Sequence, residues 1–86
     1  MWHLYILYSA FLDKYYIGYT GMSLQDRLTK HLSNHSGFTG RAKDWVIVYS
    51  ESFELKSDAI RRERQLKALK SRTAIAKLIL ENSNEL

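Results

Sequence analysis

The chain lacks cysteine, and it holds no proline, no internal repeat and no low-complexity tract. Without cysteine it forms no disulfide and no zinc site that needs thiolates, and a reducing compartment is compatible with the sequence. No apolar run approaches the ~20 residues that span a bilayer. The N-terminus also lacks the charged and then apolar pattern of a signal peptide. We therefore expect a soluble cytoplasmic protein with no membrane partner.

Length and composition predict one folded domain. Eighty-six residues leave no room for a second domain. A hydrophobic content of 45% can fill a single core, which argues against a disordered chain. We assign residues 1–81 to this domain and expect residues 82–86 to fray as a C-terminal tail.

Positive charge is concentrated in the second half of the chain. Residues 56–77 hold eight basic and two acidic side chains, a net charge of +6, so the remaining residues carry −2 of the total of +4. Such a block favours a polyanionic partner, because each phosphate that it neutralises releases counterions. A solvated helix face rich in good helix formers explains the same block equally well.

Hydrophobic patterning predicts the element order β-β-α-β-α-α. Apolar, aromatic and branched residues indicate strands at 2–8, 15–19 and 45–49, of which the first and third read as buried. The short link between the first two strands favours a hairpin. The fold class is therefore α+β, with a three-stranded, mainly antiparallel sheet flanked by helices.

The predicted helices begin at side chains that can cap a first turn. Leucines every four residues from Leu24 give the first helix one apolar stripe. Residues 36–40, Ser-Gly-Phe-Thr-Gly, end that helix and begin a flexible, basic loop. The helices are expected from Ser23 to about residue 33, from Ser57 or Asp58 to about Lys70, and from Ser71 onward with Ala74, Ile75, Leu78 and Ile79 facing inward.

Glu63 is a carboxylate on the apolar side of the second predicted helix. Successive residues are about 100° apart around a helix, which places Glu63 about 40° from Ala59, inside the apolar arc that Leu66 and Leu69 define. A carboxylate facing a core is costly unless it is paired or holds a cation. One carboxylate, water molecules and a substrate phosphate commonly hold Mg²⁺, and a salt bridge would satisfy Glu63 equally well. The candidate salt-bridge partners are Arg27, Arg62 and Lys70.

Arg27 and His31 lie four residues apart on the first predicted helix, so they share one face. Like charges at that spacing repel, which makes a neutral His31 the cheaper state. The forked guanidinium of Arg27 suits a phosphate. The alternative is a surface pair with little effect.

Five of the six tyrosines crowd the predicted hairpin. If the hairpin loop has an even number of residues, Tyr5 and Tyr16 fall on the same face of the sheet. Two neighbouring phenols above a basic helix can orient a water molecule and take its proton. Because free phenols have a pKa near ~10, such a role at neutral pH needs a nearby cation. Ordinary aromatic packing is the alternative.

Taken together, these residues resemble the GIY-YIG nuclease superfamily over roughly residues 2–80. Tyr16-Ile17-Gly18 matches the second half of the signature. His3-Leu4-Tyr5 stands where the first half would be, and its tyrosine matches. Gly18 would let the strand and the substrate backbone come close.

The resemblance is most specific for the small stand-alone bacterial members, which are related to nuclease modules of the excision-repair incision subunit, of homing endonucleases and of a structure-specific resolvase. The stretch Arg62-Glu63-Arg64-Gln65-Leu66-Lys67 carries it, with Thr39 and Trp45-Val46-Ile47-Val48-Tyr49 before it. Three features depart from the family's pattern. The first motif lacks its glycine. The spacing from Tyr16 to Arg27 is one residue longer than usual, and Asp44 stands where these members often have proline.

The resemblance implies catalytic roles for five residues. Tyr16 would act as general base or position the attacking water, and Tyr5 would support it through a hydrogen bond. Arg27 would stabilise charge on the phosphate, and His31 would assist proton transfer or contact the phosphate. Glu63 would hold one Mg²⁺ or Mn²⁺ ion, which neutralises charge on the phosphate and on the leaving oxygen.

The expected function is hydrolysis of DNA phosphodiesters by a metal-dependent endonuclease domain. Branched or damaged DNA is the expected substrate, in repair or recombination, with a repair protein as a candidate partner. Strands and short loops give little base readout, which favours recognition of backbone or structure. A non-catalytic nucleic-acid-binding module is the main alternative, and a protein-interaction domain that uses Phe38 or Phe53 is the other. The predicted phosphate-binding residues are Arg61, Arg64, Lys67, Lys70, Arg72, Arg41 and Lys43.

Overall fold

Three strands and three helices form the fold in the predicted order β-β-α-β-α-α, which confirms the α+β class. The structure, a computed structural model, describes residues 1–33 and 37–83. A single 3-10 turn, Thr39–Arg41, follows the first helix. The elements are β1 (Trp2–Ser9), β2 (Lys14–Thr20), α1 (Leu24–Ser33), β3 (Val46–Phe53), α2 (Lys56–Ala68) and α3 (Arg72–Ser83).

β1 is the central strand of an antiparallel sheet with the order β2-β1-β3. Its middle four residues are at most 1% exposed, which confirms a strand buried on both faces. Leu4 and Ile6 point to one face and pack with side chains of α2 and α3. Tyr5 and Leu7 point to the other face and pack with α1 and with Trp45. The sheet thus separates two apolar clusters.

The hairpin between β1 and β2 places the two predicted site tyrosines on one face. Ser9 pairs with Lys14, which leaves a turn of four residues. Because that number is even, Tyr5 (opposite Gly18) and Tyr16 (opposite Leu7) share a face, as expected.

Asp44, which stands where small relatives often have proline, ties this hairpin turn to the chain before β3. Its Oδ1 accepts a hydrogen bond from Ser9 Oγ at 2.6 Å, and its Oδ2 accepts one from the Phe11 backbone N–H at 2.8 Å. These hydrogen bonds lower the pKa of the Asp44 carboxyl. The departure from the family pattern therefore has a structural role in this chain.

β3 is longer and more exposed than the buried strand predicted at residues 45–49. It spans Val46–Phe53 and forms one edge of the sheet, with Val46 51% exposed. The apolar run predicted a buried strand, but β3 has a neighbouring strand on one side only, so its residues are half-buried or exposed. Ile47 packs with the cluster on the α1 side, and Val48 and Phe53 pack with the other cluster. Trp45 lies before the strand and is 2% exposed.

The helix caps agree with the sequence at two of three positions. Ser23 Oγ accepts from the Asp26 N–H at 3.1 Å, and Ser71 Oγ accepts from the Ala74 N–H at 3.2 Å. The predicted cap of α2 at Ser57 or Asp58 is wrong, because α2 already begins at Lys56, after Leu55, with no side-chain cap.

The C-terminal ends of α2 and α3 also differ from expectation. α2 ends at Ala68, and Lys70 has a positive φ of 45°. Leu69, placed in the apolar arc by the helical projection, is therefore 48% exposed. α3 buries Ile75 and half-buries the other predicted inward residues. It continues to Ser83, and the rest of the predicted tail lies outside the described residues, as does Ser36, so the division into domain and tail stays a prediction.

None of the helices within residues 1–33 and 37–83 has the length and apolar character that crossing a bilayer requires.

Candidate active site

A chain of hydrogen bonds joins β1, α1 and the 3-10 turn. Arg27 Nε donates to the Tyr5 hydroxyl oxygen at 3.1 Å. The same hydroxyl lies 2.7 Å from Nε2 of His31, whose Nδ1 lies 3.0 Å from Oγ1 of Thr39. Both α1 residues thus reach one phenol, as expected for side chains four residues apart. The alternative of an inert surface pair is wrong, because His31 is 5% exposed.

The proton on each group follows from Arg27, which can only donate. Because the Tyr5 oxygen accepts from Arg27, its own proton points to His31 Nε2. His31 is then assigned the tautomer with its proton on Nδ1, directed to Thr39. Burial raises the pKa of Tyr5 despite the opposing effect of Arg27. Burial, and secondarily Arg27, lowers the pKa of His31. Both groups are therefore neutral at pH 7, as predicted for His31.

Tyr16 presents an accessible hydroxyl beside this chain. Its ring meets His31 edge-on at a centroid distance of 5.0 Å and stacks with Phe38 at 6.2 Å. Its hydroxyl makes no hydrogen bond within residues 1–33 and 37–83. Since no buried polar side-chain atom there lacks a partner, this hydroxyl contacts solvent. The predicted hydrogen bond from Tyr5 to Tyr16 is absent from the described part, where the two rings are 6.4 Å apart and Tyr5 bonds to Arg27 and His31 instead.

Gly18 makes room for the Tyr5 phenol. It lies opposite Tyr5 in the β1–β2 pairing. A Cβ atom on Gly18 would lie 2.6 Å from the Tyr5 hydroxyl oxygen, 2.8 Å from its Cζ and 3.1 Å from Cε2 of Tyr16. The sequence placed Gly18 at the site for approach of the substrate, whereas the structure shows that its close neighbour is Tyr5 of the same chain.

Glu63 lies on the sheet-facing side of α2 with its side chain 16% exposed, in agreement with the helical projection. Its ion pair is with Lys67, one turn along the helix, at 3.4 Å. The predicted salt-bridge partners are wrong within the described residues: Arg62, for example, pairs with Glu51 at 3.0 Å. We call the depression that Glu63 lines the central groove; it is also lined by Trp2, Tyr5, Tyr16, Gly18, Tyr19, Thr20, Gly21, Arg27 and Lys56.

The sequence of this chain matches one known family model. The family model described as the GIY-YIG catalytic domain matches residues 1–76, from the N-terminus into α3. This chain belongs to the GIY-YIG catalytic domain family. Comparisons with curated proteins and with solved structures give no match. Family membership establishes a nuclease-type fold and implies DNA as the substrate.

GIY-YIG nucleases generally depend on a divalent metal ion, and the central groove of this GIY-YIG domain has a donor set that fits one. Glu63 is the one acidic side chain among the described residues that line it. No group of three or more His, Asp or Glu side chains suited to a metal occurs in the described part of the chain. A single carboxylate suits an ion that keeps several water molecules and takes its other ligands from a phosphate, which describes Mg²⁺ or Mn²⁺.

The longer spacing before α1 does not displace Arg27. The Ser23 cap starts the helix so that Arg27 Nε reaches Tyr5. Neither Nη atom of Arg27 makes a hydrogen bond to the described residues. The guanidinium is therefore fixed at one edge and open at the other.

The predicted phosphate-binding residues divide among separate surfaces of the GIY-YIG domain. Lys67, Lys70 and Arg72 line one groove together with Lys14. Arg61 lines a different groove beside Arg62 and Asp58, and Arg64 is exposed on α2. The side chains of residues 61, 64 and 67 are about 60° apart around the helix, and their binding of phosphate stays a prediction. In the loop, Arg41 lies over the Phe38 ring at 5.8 Å, and Lys43 Nζ donates to the Leu32 carbonyl at 2.9 Å.

The sequence did not predict that residues of the loop before β3 support the site. Thr39 contacts His31 through its side chain, and its carbonyl accepts from Trp45 Nε1 at 2.9 Å. Lys56, at the start of α2, lines the central groove and lies 5.3 Å from the Trp2 ring centroid. The sequence identified Trp45 as an apolar residue, but no spacing in the sequence predicts its contact with residue 39 or with α1.

Proposed function

We propose that this GIY-YIG domain is a divalent-metal-dependent endonuclease that hydrolyses DNA phosphodiesters. The observation that carries the proposal is the central groove, in which the accessible Tyr16 hydroxyl, the half-open guanidinium of Arg27 and the Glu63 carboxylate lie together. These are a candidate base, an anion-binding group and a hard-cation ligand, the three functions that phosphodiester hydrolysis needs. A preference for branched or damaged DNA, a role in repair and a cytoplasmic location remain predictions from the sequence.

Arg27 is the group that would bind the scissile phosphate. Its Nε donates to Tyr5, and neither of its Nη atoms makes a hydrogen bond to the described residues. A guanidinium presented in this way suits two phosphate oxygens at once. The hydrogen bond to Tyr5 raises the pKa of Arg27, and the cation is present at any pH of interest.

Tyr16 is the group that would orient the attacking water and accept its proton. Tyr5 is less suited, because burial keeps it protonated and its hydroxyl is already bonded on both sides. The cations Arg27 and Lys56 line the same groove as Tyr16. A metal ion held by Glu63 would supply charge neutralisation at the phosphate and at the leaving oxygen.

His31 is a positioning residue in this proposal. The resemblance suggested proton transfer or phosphate contact, but both ring nitrogens are bonded inside the protein. His31 instead fixes the Tyr5 hydroxyl, and through it the plane of Arg27.

The test is a cleavage assay with labelled linear, flapped and four-way DNA in Mg²⁺ or EDTA. We expect metal-dependent cutting that falls by at least about 100-fold in Tyr16→Phe and in Glu63→Ala, the loss typical of a proton-transfer group or a metal ligand. The matched controls are Tyr49→Phe and Glu81→Ala, which remove the same groups outside the groove and should retain cutting.

The competing function is a binding module without catalysis. Salt-sensitive DNA binding with no cutting of any substrate, unchanged by Glu63→Ala, would establish it and refute the nuclease. The protein-interaction alternative used Phe38 and Phe53 as surface residues. Phe53 does not suit that role, because it is half-buried against the core. Phe38 remains accessible, at 37% exposed.

A further inference from the structure

A second groove adjoins the central groove and is not used by the proposed chemistry. Its volume is about 550 Å³, within the ~300–1,000 Å³ of small-molecule sites. Tyr16 lines both grooves. We call it the lysine-rimmed groove; its lining comprises Lys14, Tyr15, Tyr16, Ile17, Phe38, Leu66, Lys67, Lys70, Ser71, Arg72 and Ile75.

The floor of this groove is apolar and aromatic. Ile17, Leu66 and Ile75 belong to the core cluster beneath it, and the exposed apolar surface in the groove exceeds the polar surface. The nearly parallel rings of Tyr16 and Phe38, inclined by 22°, form one wall. Such a floor favours a flat, uncharged group, because every ring or aliphatic face that it covers leaves water.

The rim of the groove is cationic. Lys14, Lys67, Lys70 and Arg72 line the groove and are exposed. No acidic side chain lines the groove in the described part of the chain, although Arg72 pairs with Asp13 and Lys67 with Glu63 just outside it. Four cations around an apolar floor match the two parts of a nucleotide, a polyanionic backbone and a base with two apolar faces.

We propose that the lysine-rimmed groove binds one unpaired base of the DNA strand next to the phosphate held in the central groove, so that the domain selects DNA with an extrahelical nucleotide. The inference rests on the proposed function for the position of that phosphate. Tyr16 joins the two steps, since it lines both grooves. A fully paired strand presents its phosphates to the rim but keeps its bases stacked, and it leaves the floor uncovered.

The experiment is a binding titration of the full-length chain in EDTA, by fluorescence anisotropy. The probe is a 21-base-pair duplex with one bulged adenosine. Its control is the same duplex with a bulged abasic nucleotide, which keeps the phosphates and removes the base. We expect the bulged adenosine to bind at least about fivefold more tightly than the abasic bulge, the lower limit for base–aromatic stacking.

Phe38→Ala tests the wall of the groove, and Phe11→Ala is its control. Phe11 is another exposed phenylalanine, in the hairpin turn and outside the groove. We expect the ratio of the two affinities to fall towards one in Phe38→Ala, to be restored in Phe38→Trp and to be unchanged in Phe11→Ala. A second readout needs no variant: 2-aminopurine at the bulge should change its fluorescence on binding, and 2-aminopurine at a paired position should not.

Equal affinity for the adenosine and abasic bulges, or an unchanged 2-aminopurine signal at the bulge, overturns the base-binding site. Cutting of fully paired DNA together with that result would leave the nuclease proposal standing. Base-dependent binding without any cutting would instead retain this site and remove the nuclease. The two failures are therefore distinguishable.

Discussion

At the residue scale, the Tyr5 hydroxyl is the point that aligns the site. It accepts from Arg27 and donates to His31, so its position fixes the plane of the guanidinium. That position exists only because residue 18 has no side chain. The backbone at Gly18 is extended and any residue could adopt it, so the requirement for glycine is one of space.

Gly18→Ala tests this requirement. The new Cβ would force Tyr5 away from Arg27 and His31, and we expect activity to fall at least about tenfold and stability to fall by about 1–3 kcal/mol, as for other overpacked cores. Cleavage rates and urea denaturation measure the two effects. Because Tyr5→Phe disturbs the same contacts, the double variant should be little less active than the worse single variant. Independent, additive losses would contradict the role given to Gly18.

His31 gives a pH dependence of stability. Burial lowers its pKa in the folded protein below the ordinary 6.5. The unfolded chain therefore binds the proton first, and the contribution of His31 to stability is complete above about pH 6.5 and diminishes as the pH falls below that value. His31→Gln cannot titrate, so the stability advantage of the wild type over this variant should shrink between pH 7 and pH 5. Denaturation series at each pH measure it; an advantage that does not vary with pH would show that His31 titrates as in the unfolded chain.

At the element scale, the loop before β3 holds α1 in place. Trp45 is buried beside Leu7 and donates to the Thr39 carbonyl, and the Thr39 hydroxyl contacts His31. α1 is thus attached to the sheet both through its leucine stripe and through this polar contact. A loop that sequence patterning described as flexible supports the active site.

Thr39→Val tests the polar contact, because valine keeps the shape of threonine without its hydroxyl. His31 Nδ1 would then be buried without a partner, which costs about 1–3 kcal/mol. Thr29→Val is the matched control, since Thr29 is exposed on α1 and its hydroxyl donates to the Gln25 carbonyl. We expect the control to change the free energy of unfolding by less than about 0.5 kcal/mol. Equal effects of the two variants would show that the contact to His31 contributes little.

At the scale of the whole molecule, the basic side chains of the second half of the chain are divided among different grooves. Lys70 stands on the rim of the lysine-rimmed groove, whereas Arg61 lines a groove with Asp58 and Arg62. Arg61 also forms an ion pair with Asp58 at 3.7 Å and is 71% exposed. Sequence position alone made these two cations equivalent.

The salt dependence of DNA binding separates them. Each phosphate contact contributes about 0.9 to the slope of log K against log salt for duplex DNA. Lys70→Gln should therefore lower the slope by about one, and Arg61→Gln should leave it unchanged. Titrations at four or more salt concentrations measure the slopes. Equal reductions in the two variants would show that Lys70 and Arg61 contact phosphate alike.

The elements and their order were predictable because they depend on local pattern. The apolar run of β1, the leucine repeat of α1 and the caps at Ser23 and Ser71 are patterns of residues close together in sequence. Residues of the site were found partly through helical geometry, as for Glu63, and partly through resemblance to a known family. The start of α2 and the exposure of β3 were wrong, because tertiary packing decides where a helix begins and which strand forms an edge.

The sequence by itself determined the α+β class and the shared helix face of Arg27 and His31, since each follows from a fixed backbone period. The shared face of Tyr5 and Tyr16 also required an even number of residues in the hairpin turn, which the structure supplied. Only the tertiary structure decided that Tyr5 bonds to Arg27 and His31, that Thr39 and Trp45 support them, and that Gly18 is needed for space. Those contacts join residues far apart in sequence, and they depend on how the sheet, α1 and the loop pack. No periodicity contains that information, because it arises when separate elements meet.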